Sequence, residues 1–546
     1  MPARRDLLSL TWFVVAVLVY AWPLVRSLTT AMPGSAEDRD VATFVWNVGW
    51  VRHALPTPPA LLYAADVLAP FGADLRLHTY GLLLGLAVAP LVDALGVYGA
   101  FNLALLASLS LNGILTCWLV QRQTRSRPAG LLAGTCLMLA SAVLAQMRVG
   151  RPSFACLWLV VACVMSFEAT LACQSRAGRL GRGLLLGVLL FAAALADLQM
   201  LLYSGLWLGM RALGRLRDPR LLPSVPALGL CALGFGLLFG PIYGPALAAG
   251  YQAPALADMR EYSFRYFDYL TPDLVQDVYG YDLLLGVILG LILAWRQAGV
   301  WWWLGGGLVC LLLALGPVLQ PTSLSLPFAL LSQAPGMAQF RTPSRLVIPA
   351  VLGLAVVLGS GVAGLHRHWP GLAWLVPPLL VVRLGLAMVH DPFVTQTYPA
   401  YETYRRLAAE PARGTLVEVP LGIRSGLDRI GHGAEVLEVY QSVHGKPLIN
   451  AMIARLPAQV FAAYRAEPAA MFLAGEAESA SFDQFNSLLS WVGADYVLLH
   501  RDLVVRSRAD AFQAYFDAAP ALERAAVEGD LVLYRVVRLS APRTAQ

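Results

Sequence analysis

Glu37-Asp38-Arg39-Asp40 follows directly on an apolar run from about Leu7 to Leu28. The run is long enough to cross a bilayer as a helix. The acidic cluster therefore emerges on the far side of the membrane from the N-terminus. Carboxylates crowded at a membrane surface repel one another and are costly to keep ionised. A membrane anchor has no use for them, whereas a general base or a metal site does. Arg4 and Arg5 precede a run too long for a secretory h-region, and Ala31-Met32-Pro33-Gly34 is a poor cleavage site. The segment reads as a signal anchor with its N-terminus in the cytoplasm.

Composition extends this reading to the whole chain. Its 546 residues are 58% hydrophobic and only 14% charged. A soluble chain carries about 25% charged residues, so a polytopic α-helical membrane protein is expected. The net charge of +6 is not read as nucleic-acid binding. Most of the positive charge is Arg, placed in short loops between apolar spans, as the positive-inside rule requires. The seven cysteines all lie in or at the ends of apolar segments, none beyond Cys310. Buried apolar packing explains them, and a disulfide framework in the C-terminal region is excluded.

Past Asp40, the residues Val41, Phe44, Val45, Val48, Val51 and Leu55 recur at helical spacing. Asn47 and His53 lie off that stripe, and Trp46 and Trp50 suit a headgroup layer. A short amphipathic helix lying on the membrane surface is expected; the alternative is a broken transmembrane helix. Gly81 to Gly96 is apolar but short, with Pro90 inside it. A re-entrant segment there keeps Arg122, Arg125 and Arg127 on the cytoplasmic side. Further spans are expected near 99–120, 129–147, 153–173, 183–197, 199–212, 222–244, 281–295, 299–318, 345–365 and 370–390. The Arg clusters at 176–182 and 211–220, with Arg296 and Arg367, then share one face with Arg4 and Arg5. With the first helix this makes about eleven crossings.

Composition changes at about Asp391. Thr415 to Leu421, Asp495 to Leu499 and Asp530 to Val537 read as strands, and Ala509 to Asp517 reads as a helix. The domain division expected is 1–390 for the transmembrane part, including a first outer loop over 29–80, and 391–546 for a small extracytoplasmic α/β domain. No internal repeat at solenoid or propeller periods is visible.

Several residues are candidates for chemistry. Asp38 and Asp40, with Glu37 adjacent, can chelate a hard divalent cation or leave one acid as a general base. Arg341 and Arg345 sit where a span re-enters from outside, and Arg148 and Arg151 lie at another outer helix end. Outer arginines run against the usual bias, and a guanidinium fork suits phosphate oxygens. His78 enters the re-entrant stretch. In the outer loop from Gly250 to Tyr281, which also holds Asp273, Asp258 and Glu261 are further acids. His444 and Lys446, the single lysine of the chain, flank Gly445 in a turn. No phosphate-binding Gly-rich loop, zinc-protease motif or nucleophile elbow occurs.

Taken together, these features resemble the GT-C superfamily of integral-membrane glycosyltransferases, in an uncharacterised bacterial branch. The resemblance rests on the acids of the first outer loop, the helix after them, the many spans and the C-terminal domain. It rests also on the wording of Asp40 to Leu55 around Phe44-Val45-Trp46-Asn47, of Leu326-Pro327-Phe328 through Arg341-Thr342-Pro343-Ser344-Arg345, and of His444-Gly445-Lys446-Pro447. It implies transfer of a sugar from a polyprenyl-phosphate or polyprenyl-pyrophosphate carrier to an acceptor at the outer face of the bacterial cytoplasmic membrane, in service of the cell envelope. A first-loop acid, here Asp38 or Asp40 with Glu37 in support, would act as base or help to hold a metal. Arg341, Arg345, Arg148 and Arg151 would bind the lipid-linked phosphate, with His78, Glu261, His444 and Lys446 as further substrate contacts. The competing classes are a transporter or flippase, for which Asp197 is the clearest buried acid, and a non-catalytic assembly factor for envelope polysaccharide.

Overall fold

A computed structural model describes residues 2–537 except 250, 273–274, 276–279, 335–336, 338–339 and 412–413. Asp273 lies outside the described residues. Among them, six helices are long and apolar enough to cross a membrane, or up to seven if a bent pair counts as one span. The bent pair is Arg127–Met138 with Ser141–Arg148, inclined by 46°. Three shorter apolar helices are Ser9–Tyr20, Leu283–Ala294 and Ala298–Ala314. Length and composition thus support six or seven crossings among the described residues, and the expected eleven are not all matched by helices of that length.

The Gly81–Gly96 stretch begins as the helix Leu82–Val88, only seven residues long. At 1.5 Å per residue it rises about 10 Å, too little to cross. The next helix, Val92–Thr124, is kinked at Gly96, whose φ of 69° is natural to glycine. Gly85 lets Leu82–Val88 close on the preceding helix, since a Cβ there would meet Val51 Cγ2 at 2.8 Å.

That preceding helix, Asp40–Ala54, departs from expectation. It does not present one apolar face to a membrane. Val41 to Val48, Trp50, Val51 and Ala54 are all buried. One side joins the core of the membrane helices and another joins the core of the C-terminal domain, where Trp46, Trp50 and Val51 pack with Val417, Val419 and Ile423. Two of its polar side chains are bonded to the helix Ala434–His444. Trp46 Nε1 donates to Gln441 Oε1 at 2.7 Å and Thr43 Oγ1 to Glu438 Oε2 at 3.1 Å. A tryptophan with one polar atom suits a wet interface or a buried partner equally well; here the partner is protein.

The C-terminal region holds a four-stranded sheet in the order Leu522–Glu528, Leu531–Val536, Ala494–His500, Thr415–Val419. The last pair is parallel and the other two are antiparallel. Helix Arg506–Ala518 packs against it. All three expected strands and the expected helix are present. Thr415–Val419 ends the ladder, yet all five residues are buried. Its open edge is covered where Leu416 N–H donates to the Pro447 carbonyl at 2.8 Å, which removes an exposed strand edge. A second sheet has the order Arg429–Gly431, Gly422–Arg424, Ala451–Met452. Met32–Pro33 pairs with Thr395–Gln396, stitching the first loop to the start of this region.

Candidate active site

Asp40 is the first residue of its helix. Its Oδ2 accepts from Arg151 Nη2 at 2.8 Å and its Oδ1 from Arg424 Nη1 at 3.3 Å. Anions are favoured at a helix N-terminus, and two guanidiniums add to that. Asp40 lines a cavity of about 200 Å³ where four parts of the chain meet. The first loop gives Asp40, Thr43 and His78. The break between helices Arg176–Ala196 and Leu198–Leu213 gives Asp197 and Gln199. The stretch before the Val347–His368 helix gives Arg341 and Arg345. The C-terminal domain gives Arg424 and Arg455.

Four guanidiniums thus face two carboxylates. Arg341 stacks 4.4 Å from the Tyr262 ring centroid, and Arg345 lies 3.9 Å from that of Phe154. Neither forms an ion pair among the described residues. Stacking uses the face of a guanidinium and leaves its N–H edge for an anion. Arg455 Nη1 donates to the Ala454 carbonyl at 2.7 Å. Burial pushes Arg455 down to about 10, with the Arg341 charge adding to the effect. The cavity is therefore short of negative charge.

The other expected residues fall elsewhere or serve differently. Asp38 does not line the cavity; its Oδ2 accepts from Ser35 N at 2.8 Å and from Ser35 Oγ at 2.9 Å, closing the turn before the helix. Glu37 is exposed. Arg148 pairs with Asp391 at 3.2 Å, and Ser141 Oγ donates to the same carboxylate at 2.8 Å. That cluster fastens the membrane helices to the start of the C-terminal region. Arg151 acts on Asp40. Glu261 is exposed, at the end of the Leu256–Glu261 helix and outside the cavity lining.

His78 does line the cavity, but both its nitrogens are engaged. Nδ1 accepts from Ala454 N at 3.0 Å, so Nε2 carries the proton and donates to Asn47 Oδ1 at 3.1 Å. Burial pushes it down to about 3, holding it neutral. It is a strut between the first loop and the C-terminal domain. His444 and Lys446 lie outside the cavity. His444 stacks on Tyr404 with ring centroids 5.3 Å apart, and its Nδ1 accepts from Lys446 N at 2.9 Å. Lys446 Nζ donates to the Glu410 carbonyl at 2.5 Å. Gly445 supplies the φ of 62° that ends the helix, and the turn serves to cover the sheet edge.

The donor set does not fit the divalent metal that the acidic cluster allowed for. A hard cation asks for several carboxylate oxygens together. Each Asp40 oxygen already accepts from a guanidinium, and Asp38 and Glu37 turn away. Among the described residues no group of three or more His, Cys, Asp or Glu side chains gathers to hold a metal ion. Arg424 and Arg455 carry no motif signal in the sequence. Each is one arginine in an aliphatic stretch that only the tertiary fold brings to the cavity.

No family model and no curated protein matches the chain. Solved structures do. Arabinofuranosyltransferase AftD from Mycobacteria is 16% identical with a TM-score of 0.56, over 98% of this chain and 40% of that one. The chain thus spans well under half the length of that enzyme. The oligosaccharyltransferase of Archaeoglobus fulgidus is 10% identical with a TM-score of 0.53, over 90% of this chain and 68% of that one. ArnT from Cupriavidus metallidurans is 15% identical with a TM-score of 0.51, over 97% of this chain and 98% of that one, and its structure with bound undecaprenyl phosphate scores 0.50. What the chain shares with these proteins is their fold.

Proposed function

We propose that the chain is a membrane glycosyltransferase that moves a sugar from a polyprenyl-phosphate-linked donor to an acceptor at the outer face of the bacterial cytoplasmic membrane. The observation that carries this reading is the pair Arg341 and Arg345. They share a cavity with Asp40, are held by aromatic rings rather than acids, and leave N–H edges for a phosphate. The N-terminus lies in the cytoplasm in this reading, and the C-terminal domain closes the cavity from outside.

Asp40 is the base. Its two hydrogen bonds leave a lone pair on each oxygen, so it accepts the proton of the acceptor hydroxyl. The acceptor oxygen then attacks the anomeric carbon. The bond from that carbon to the phosphate oxygen breaks, and its electron pair leaves with the polyprenyl phosphate. Arg345 and Arg341 stabilise the charge gained there, where a part-buried setting strengthens the effect. A single displacement of this kind inverts the anomeric centre.

The test is glycosyl release from a panel of polyprenyl-phosphate sugars by purified protein, with thermal stability measured in parallel. Turnover lost in Asp40→Asn, with carrier-induced stabilisation retained, is the expected result. A wild-type protein that the carrier does not stabilise overturns the reading.

A further inference from the structure

The main cavity adjoins a side pocket of about 20 Å³, whose lining includes His78, Tyr80, Asp197, Leu198 and Tyr243. His78, Asp197 and Leu198 line both spaces. A volume of that size admits one water-sized group. Tyr80 is only 6% exposed, and its hydroxyl is buried without a hydrogen-bond partner among the described residues. Buried hydroxyls are nearly always paired, so an orphan at a pocket wall points to a group that the described residues do not supply.

Asp197 stands at the break between Arg176–Ala196 and Leu198–Leu213. Its Oδ1 accepts from Gln199 N at 2.8 Å and caps the second helix, while the carboxylate forms no ion pair among the described residues. The same frame carries Arg345. The Tyr203 hydroxyl donates to the Arg345 carbonyl at 3.0 Å and lies 3.4 Å from Gln199 Oε1. A sugar joined through its anomeric oxygen to a phosphate on Arg345 has its ring within a few ångströms of that phosphate, and this frame forms the adjacent wall.

We infer that the side pocket recognises a ring hydroxyl of the donor sugar, with Tyr80 donating to its oxygen and Asp197 accepting its proton. One hydroxyl both donates and accepts, so it satisfies an orphan phenol and a carboxylate at once. The inference rests on the donor reading proposed above and names the residues that select the sugar.

The experiment measures binding of undecaprenyl phosphate, and of the same carrier bearing a panel of aldopentoses, aldohexoses and their deoxy analogues, to the full-length protein. In the wild type at least one sugar raises affinity over the bare carrier. Tyr80→Phe removes no hydrogen bond made among the described residues, and Asp197→Asn keeps a residue able to cap a helix. Both variants are expected to lose that gain by about tenfold or more, since a site built around a hydroxyl discriminates strongly. Tyr80→Phe binds the bare carrier as the wild type does and no longer separates a donor from its matching deoxy analogue. The sugar gain of Asp197→Asn is read against its own bare-carrier affinity, because Asp197 shares the cavity with Arg345. A pocket filled only by water gives variants with an unchanged sugar gain, and that result overturns the inference. So does a wild type that binds the bare carrier but gains nothing from any sugar. A wild type that fails to bind the bare carrier overturns the donor reading itself and this inference with it.

Discussion

Arg424 reaches Asp40 across 384 positions of sequence, its Nη1 lying 3.3 Å from Oδ1. The base of the proposed reaction is therefore set by two halves of the chain, Arg151 from the membrane helices and Arg424 from the second sheet of the C-terminal domain. The Asp38 carboxylate, two residues earlier, has no such link among the described residues; only its backbone carbonyl accepts from Gln396 Nε2, at 3.3 Å. Asp40→Asn is expected to lower turnover by about 10²–10⁴, the usual contribution of a general base. Asp38→Ala is expected to leave turnover within a few-fold and to lower stability by about 1 kcal/mol, through loss of the bonds to Ser35. Single-turnover rates with melting temperatures distinguish the two. Equal kinetic losses would remove the distinction between them.

Arg424→Lys keeps the positive charge but not the planar fork. Its expected effect is a fall in kcat of about tenfold with KM for the carrier nearly unchanged, because the residue orients Asp40 and does not touch the phosphate. A rise in KM without loss of kcat would instead put Arg424 on the donor.

The residues differ in how far sequence reveals them. The strands Thr415–Val419, Ala494–His500 and Leu531–Val536 are legible because their apolar runs are short and β-rich. Arg341 and Arg345 stand out in the sequence because arginines on the side expected to be outer run against the charge rule, and the structure brings both to the cavity. Helix Asp40–Ala54 is legible as a helix, but not in its surroundings. Periodicity says which residues leave water; it does not say whether lipid or protein covers them. The same gap hides Arg424 and Arg455. Asp197 is visible as an acid between two apolar runs, whereas its place beside Arg345 needs the fold. His444 and Lys446 show the converse: the Gly445 turn is readable, but it covers a strand edge rather than presenting side chains to a ligand.

Arg345 and Arg341 make separate contributions to carrier binding. Arg345→Ala is expected to weaken undecaprenyl phosphate by about 1.5–3 kcal/mol, the range for hydrogen bonds to a charged group. Arg341→Ala is expected to fall in the same range. Arg148→Ala should leave carrier affinity unchanged, because its partner is Asp391, 3.2 Å away and outside the cavity lining. Affinity measured in detergent or nanodiscs checks all three. A carrier affinity lost with Arg148 and kept with Arg345 would move the phosphate site away from the cavity.

Stability should fall as the solution is acidified from about pH 6.5 toward pH 4, and two buried histidines are the named causes. Burial pushes His78 down to about 3 and His444 down to about 4. An unfolded histidine titrates near 6.5. Between the two values the unfolded chain binds more protons than the folded one, so stability rises with pH there. Each group contributes at most about 1.4 kcal/mol per pH unit, fully lost only below its folded pKa. Neither ring can take up the proton cheaply. Protonated His78 would turn Nδ1 from acceptor to donor against the Ala454 N–H, and His444 would do so against the Lys446 N–H. His78→Gln and His444→Gln should each flatten the acid limb of a melting-temperature profile, at some cost at neutral pH. If the double variant keeps the wild-type slope between pH 6.5 and 4, neither histidine is the source of the acid sensitivity.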